Sequence, residues 1–274
     1  MKLAICNETF QDWPFDRAFG YAHELGYEGI EIAPFTIDTD ARAISAARRA
    51  EVKKQAEMAG LEVVGLHWLL AKTDGYYLTS PDAVVRRQTA EYVSELARLC
   101  RDLGGKVMVF GSPQQRNLLP GVTLQQATDH AVDVLTQVLP TLEQHDVTIA
   151  LEPLGPQEGD FWTTADETAL TIDRIQSPHI QLHLDVKAMS SERKAIPDII
   201  EAHASHLAHF HANDPNRRGP GMGEVEFEPI LQTLVDVGYQ GWLSVEVFDY
   251  DPGIERLPCE SIQYLHQCLD RLAR

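Results

Sequence analysis

Two periods of hydrophobic patterning take turns along this chain. Short apolar runs rich in Val, Ile and Leu occur at Leu3–Cys6, Gly29–Ala33, Leu61–Trp68 and Lys106–Phe110. Four more follow at Val147–Glu152, Ile180–Asp185, Leu207–His211 and Trp242–Val247. Their length and β-branched content predict strands. Between them, apolar residues recur at helical spacing. The predicted helices are Phe15–Leu25, Ala41–Ala59, a segment opening at Ser80-Pro81, Thr123 to about Glu143, Thr164 to about Ile175, Ala195–Ala204, Phe227–Val237 and Ile254–Leu272.

Local punctuation agrees with this division. Gly26, Gly60, Gly104-Gly105 and Gly238 stand where helices should stop. Ser80-Pro81 offers an N-cap and a first-turn proline. Thr123-Leu-Gln-Gln126 and Thr164-Ala-Asp-Glu167 read as capping boxes. Uninterrupted apolar strands suit a parallel sheet covered by helices. Eight strand–helix units in 274 residues, with no linker or composition break, predict a single (β/α)₈ TIM barrel spanning 1–274. An open doubly wound sheet is the alternative, but Cys6-Asn7-Glu8-Thr9 lacks the glycine-rich first turn that such folds carry.

Charge and cysteine usage narrow the function. The formal charge is -18, from 23 Lys+Arg against 41 Asp+Glu, which disfavours nucleic acid and anionic membranes as partners. No apolar run is long enough to cross a bilayer, and the first residues read as a strand rather than a signal peptide. Cys6, Cys100, Cys259 and Cys268 lack Cys-x-x-Cys spacing, so neither a disulfide framework nor a zinc ribbon is expected. Reduced cysteines and no export signal predict a cytoplasmic protein.

A barrel of this kind carries its chemistry at the C-terminal ends of its strands. Strand five ends in Glu152, strand six in Asp185, strand seven in His211 and strand eight in Glu246. Neighbouring strands lie roughly 5 Å apart, so these four side chains can converge on one ion. Three carboxylates and one imidazole favour Mn²⁺, with Mg²⁺ or Co²⁺ as alternatives. His211 opens the polar, glycine-rich stretch 211–224, which reads as a loop folded over the metal pocket. His209 shares the strand face of His211, and His183 alternates with Leu182 and Leu184; either can be a satisfied interior histidine. His67 ends strand three, where it either meets substrate or is hydrogen-bonded inside the barrel. Trp13, Trp68 and Phe248 are either aromatic walls of a binding site or plain packing. Glu31 ends strand two, where it either orients an arginine or a ligand or makes a structural ion pair.

With these residues in register, the chain resembles the xylose-isomerase-like TIM-barrel superfamily, nearest to the D-tagatose/D-psicose 3-epimerases. The resemblance covers the whole chain and is strongest from Glu152 to Glu246. It implies a metal, commonly Mn²⁺, held by Glu152, Asp185, His211 and Glu246. It implies that Glu152 and Glu246 act as acid and base on opposite faces of the sugar. Glu158 matches a glutamate that contacts substrate hydroxyls, and Arg217 an arginine that holds oxygens near the carbonyl. Oligomers, dimers or tetramers, are common in this group. One departure stands out. The epimerases carry a substrate-binding histidine where this chain has Ala188, within Asp185-Val186-Lys187-Ala188. Lys187 either stands in for it or is a solvated loop lysine.

The expected reaction is proton abstraction next to a carbonyl through a metal-stabilised enediolate, on a sugar or keto-polyol. Epimerisation and aldose–ketose isomerisation use the same residues. A keto-sugar or inosose dehydratase or lyase is the alternative on the same scaffold. An endonuclease IV-like nuclease fits poorly, because strand four ends Phe110-Gly111-Ser112 without a histidine and Ala188 removes another. A sugar-binding barrel without activity conflicts with the intact ligand set.

Overall fold

The computed structural model describes residues 1–272. Ala273 and Arg274, at the end of the predicted 1–274 span, lie outside the described residues. Eight parallel strands, β1 (Lys2–Cys6), β2 (Gly29–Ile32), β3 (Glu62–Leu66), β4 (Val107–Phe110), β5 (Thr148–Leu151), β6 (Ile180–Asp185), β7 (Leu207–Ala212) and β8 (Trp242–Val245), close in sequence order. Strand β8 pairs with β1, so no edge is left open. The expected (β/α)₈ barrel is the fold.

The helices are α1 (Phe15–Leu25), α2 (Ala46–Ala59), α3 (Ala83–Leu103), α4 (Leu124–His145), α5 (Ala165–Ile175), α6 (Val186–Met189), α7 (Ile196–His203), α8 (Phe227–Asp236) and α9 (Arg256–Leu272). Helices α1, α2 and α3 end where Gly26, Gly60 and Gly104 turn left-handed, at φ 103°, 81° and 98°. The Thr123 capping box forms as expected.

Three helix starts differ in detail from expectation. Residues Ala41–Ala43 form a separate 3₁₀ turn, and α2 starts only after Ser45, whose side chain accepts from the Arg48 N–H. Helix α3 is capped by Asp82 rather than Ser80. Asp82 accepts from the Val84 N–H at 2.7 Å, while Ser80 accepts from the N–H of Asp82 itself. At α5, Thr164 caps Glu167, but the Glu167 carboxylate turns to the N–H groups of Trp162 and Thr163 instead of completing the box. A one-turn helix, α6, also appears directly after β6, where no helix is expected.

The strands alternate between an apolar face and a polar one. On β6 to β8, Leu182, Leu184, Phe210, Leu243 and Val245 join the core shared with the helices. Their neighbours His183, Asp185, His209, His211 and Ser244 are also buried. By the period of two they face the barrel axis. The axis at this end is therefore lined by imidazole and carboxylate rather than by branched aliphatics. Register shifts fall between Ile30 and Glu31 and between Leu182 and His183. Such irregularities re-aim side chains near functional sites, and both lie beside residues of the polar axis.

A candidate metal centre at the mouth of the barrel

Strand pairing sets the centre. Asp185 on β6 is in register with His211 on β7, and His211 with Ser244 on β8, two residues before Glu246. Glu152 follows the end of β5. All four predicted ligands are buried. The His211 Nδ1 lies 3.0 Å from Glu246 Oε2, the spacing of two neighbouring ligands each about 2.1 Å from one octahedral ion. Ligand-type atoms of Glu152, His183, Asp185 and His211 fall within 4.8 Å of one another. Glu246 is outside that group; it clusters with Cys6, Glu8 and His67 and meets the others through His211. Carboxylates and imidazoles are the donors a hard or borderline divalent ion prefers.

A second layer holds the predicted ligands. Glu31 accepts from His209 Nε2 at 2.8 Å and from His211 Nε2 at 3.1 Å. That turns the His211 Nδ1 toward Glu246 and the other predicted ligands, the orientation of a carboxylate–histidine–metal arrangement. Asp185 Oδ1 accepts from the Ala188 N–H at 2.7 Å, so this side chain also caps α6. Its Oδ2 accepts from the Asn213 amide, whose carbonyl oxygen takes the Lys187 N–H at 2.8 Å. Buried Arg116 donates to the backbone carbonyl of Glu152 at 2.6 Å and lies over the Trp162 ring. The buried His183 ring is different: neither nitrogen makes a hydrogen bond, an uncommon state for a buried polar group, and its Nε2 lies 3.8 Å from Glu152 Oε1. It sits edge-on to His211, with ring centroids 4.2 Å apart.

Charges are unevenly settled. Burial raises the Glu152 pKa well above the usual carboxylate range, and Glu246 and Asp185 push the same way. Burial also works against the Glu246 carboxylate, but His211 outweighs it and lowers that pKa. For His211, burial opposes the charged ring, yet Glu31 and Glu246 hold its pKa well above the usual histidine value. Burial brings the Arg116 pKa down to about 10, and it pushes Cys6, 3.9 Å from His211, up to about 11.

A cavity of about 600 Å³ opens above the centre. Glu152, Glu246, Glu158, Arg217, His67 and Lys187 all line it. Lys187 pairs with Glu158 at 2.6 Å and lies over the Phe248 ring at 4.9 Å. Burial lowers its pKa, but Asp185 and Glu158 raise it by more. It is thus a partly enclosed cation beside Ala188, not a solvated one. His67 donates from Nε2 to the Glu8 carboxylate at 2.6 Å. Arg217 adopts φ 71°, and its carbonyl accepts from the N–H groups of Phe248 and Asp249. This strained turn anchors the arginine at the end of β8.

Two expectations shift here. Trp13 lines a neighbouring cleft rather than the cavity over the centre, and the Arg17 guanidinium covers one face of its ring at 3.5 Å. The glycines of 211–224 do permit close approach, but not to the metal pocket. A Cβ on Gly219 would meet Ser261, one on Gly221 would meet Tyr264, and one on Gly223 would strike Asp214. These glycines seat the loop against α9 and its own Asp214, and Pro215 and Arg217 line the cavity.

The match to known proteins follows this geometry. Residues 19–268 match the family model described as xylose isomerase-like TIM barrel. The chain belongs to that family. It is 25% identical to a probable ketose 3-epimerase of Synechocystis sp. over 85% of this chain and 78% of the relative. It is 22% identical to a fructoselysine 3-epimerase of Escherichia coli O157:H7 over 99% of this chain and 97% of the relative. The solved D-psicose 3-epimerase with D-tagatose, from Clostridium cellulolyticum H10, superposes with a TM-score of 0.83 at 20% identity, covering 98% of each chain. At that identity the likeness is one of fold.

Asn213 and Arg116 have no role predicted from sequence, and Glu31 is left between two. Asn213 follows a strand-end histidine in a polar stretch, a usable signal. Arg116 offers none, because it enters the interior from the loop after β4.

Proposed function

We propose that this protein is a divalent-metal-dependent sugar epimerase or isomerase that abstracts a proton next to a carbonyl. It is an enzyme of the isomerase class, like the sugar epimerases to which it is similar. The observation that carries the mechanism is that Glu152 and Glu246 line one cavity from β5 and β8, with Asp185 and His211 on the two strands between. In this reading Glu152, Asp185, His211 and Glu246 hold the ion, with Mn²⁺ before Mg²⁺ or Co²⁺.

When bound, the ion polarises the substrate carbonyl and so acidifies the neighbouring C–H. One glutamate takes the carbon-bound proton, and the other, reaching the substrate from a different side, returns one and inverts the centre. Glu158 and Lys187 bind hydroxyls as a pair, with Lys187 reaching the cavity from the position before Ala188. Arg217 holds the oxygens near the carbonyl. His67, kept by Glu8, faces the same substrate. The partner is a small sugar or keto-polyol, and a cytoplasmic location accords with four free cysteines. We also place the chain in a homo-oligomer, as in related epimerases.

Incubating metal-loaded protein with a ketose panel in D₂O tests the reading. Deuterium should enter at a carbon next to the carbonyl, in product of unchanged heavy-atom composition. No uptake with any ketose, with bound metal confirmed, overturns it. Loss of water or cleavage, read by product mass, would instead support the dehydratase or lyase alternative that Ala188 keeps open.

A further inference from the structure

The cavity over the metal centre is not the end of the cleft. A second hollow of about 900 Å³ adjoins it, and Trp68, Ser112 and Pro113 line both. Nothing in a reaction at a single ketose centre calls for this space. Pockets that enclose a whole small molecule run to roughly 300–1,000 Å³, so each hollow is large enough for a sugar ring.

The lining of the second hollow has the composition that carbohydrate needs. Trp13, Phe35, Trp68 and Tyr250 supply aromatic surface. Between them stand the acids and amides Glu8, Asp12, Gln11 and Gln115. Aromatic faces receive the C–H face of a sugar, and carboxylates and amides take its hydroxyls. The aromatic surface is continuous between the two hollows. Phe35 lies edge-on to Trp68 at 6.4 Å between centroids, and Trp68 edge-on to Phe248 at 6.0 Å. Phe35 belongs to the second hollow, Phe248 to the first, and Trp68 to both.

Trp68 itself is held unusually. Its backbone φ is 54°, a left-handed conformation that a bulky residue adopts only at a cost. Its indole N–H is buried without a partner, although buried tryptophans usually pair that group. Strain and an unpaired donor at one ridge residue between two hollows mark a functional position rather than a packing one.

We propose that the second hollow is a saccharide subsite, and that the substrate carries a second sugar ring glycosidically linked to the reacting keto-sugar. The inference rests on the sugar epimerase or isomerase reading of the first cavity. The reacting unit sits over Glu152 and Glu246. The second ring lies across the Phe35–Trp68 ridge, with hydroxyls toward Asp12 and Gln115.

Fructose, lactulose, leucrose and isomaltulose serve as probes, the last three being hexosyl-fructoses that keep a free ketose carbonyl. Binding to the Mn²⁺-loaded protein is read by tryptophan fluorescence and calorimetry, and turnover separately by deuterium uptake in D₂O. At least one disaccharide should bind about tenfold or more tightly than fructose. Phe35→Ala and, independently, Gln115→Ala should bring that preference to about one. Gln115 is partly exposed with no side-chain hydrogen bond, so its replacement keeps the test sound if Phe35→Ala folds poorly. A disaccharide preference without deuterium uptake from any probe supports the subsite and overturns the proposed reaction. Uptake from fructose with no disaccharide preference overturns the subsite and leaves the reaction standing. A preference that survives both substitutions, or no binding of any disaccharide, also overturns the subsite.

Discussion

The Nε2 of His211 on β7 lies 3.1 Å from the Glu31 carboxylate on β2, reached across the axis of the barrel. Glu31 is fully enclosed, and burial works against its charge, but His209 and His211 hold its pKa well below the usual value. It is therefore an anion that fixes the ring of His211, the one nitrogen ligand in the proposed reading. Glu31→Gln would place an amide against two ring N–H groups and remove the charge. Metal affinity should fall about 10- to 100-fold, measured by titrating Mn²⁺ into the metal-free protein. An unchanged affinity would mean that Glu31 merely fills space.

Gly111 is the second lever on the centre. A Cβ there would lie 1.8 Å from Glu152 Oε2. The clashing atom ends a flexible side chain, so the carboxylate can move aside at little cost to the fold. We expect Gly111→Ala to change unfolding free energy by under about 1 kcal/mol while lowering kcat/KM about 100-fold, the effect of displacing a reacting group by about 1 Å. Parallel thermal melts and turnover assays separate the two.

Glu246→Gln keeps the shape of the side chain and removes its capacity to take a proton. Turnover should drop by about 10²- to 10⁴-fold. A drop of less than tenfold in deuterium exchange would remove Glu246 from proton transfer.

Lys187→Ala should raise KM about tenfold with a smaller change in kcat, since the lysine pairs with Glu158 and, in the proposed reading, the two bind substrate hydroxyls away from the reacting carbon. The opposite split, with kcat falling and KM unchanged, would assign Lys187 to the chemistry.

Metal binding should release protons. Without an ion, His211 holds its proton above the usual histidine pKa, and Glu152 holds one above the usual carboxylate range. Ligation needs the neutral ring and the ionised carboxylate, so affinity rises with pH and falls as pH is lowered. Calorimetric titration of Mn²⁺ in buffers of different ionisation enthalpy should show net proton release near neutral pH. Equal heats in all buffers would contradict it.

Much of the barrel is legible along the chain. Period-two alternation and glycine stops are local signals, and they suffice to place Asp185, His211 and Glu246 at or next to strand ends. The family resemblance singles out Glu158 and Arg217, and Lys187 stands out beside Ala188; all three line the cavity. Helix starts are less secure, because Ser80 and Asp82 both have capping side chains and only the three-dimensional path of the turn chooses Asp82.

The chain by itself determined which residue types recur at strand ends, because a strand's facing alternates within the strand. Closure of the sheet decided the rest. Only a closed barrel lets Glu31 on β2 meet His209 and His211 on β7. Only the folded loop after β4 carries Arg116 to the Glu152 carbonyl. Only the path of the first loops moves Trp13 away from the metal cavity and into a second cleft. These contacts join residues from 36 to 180 positions apart, and no local period encodes a distance across the barrel.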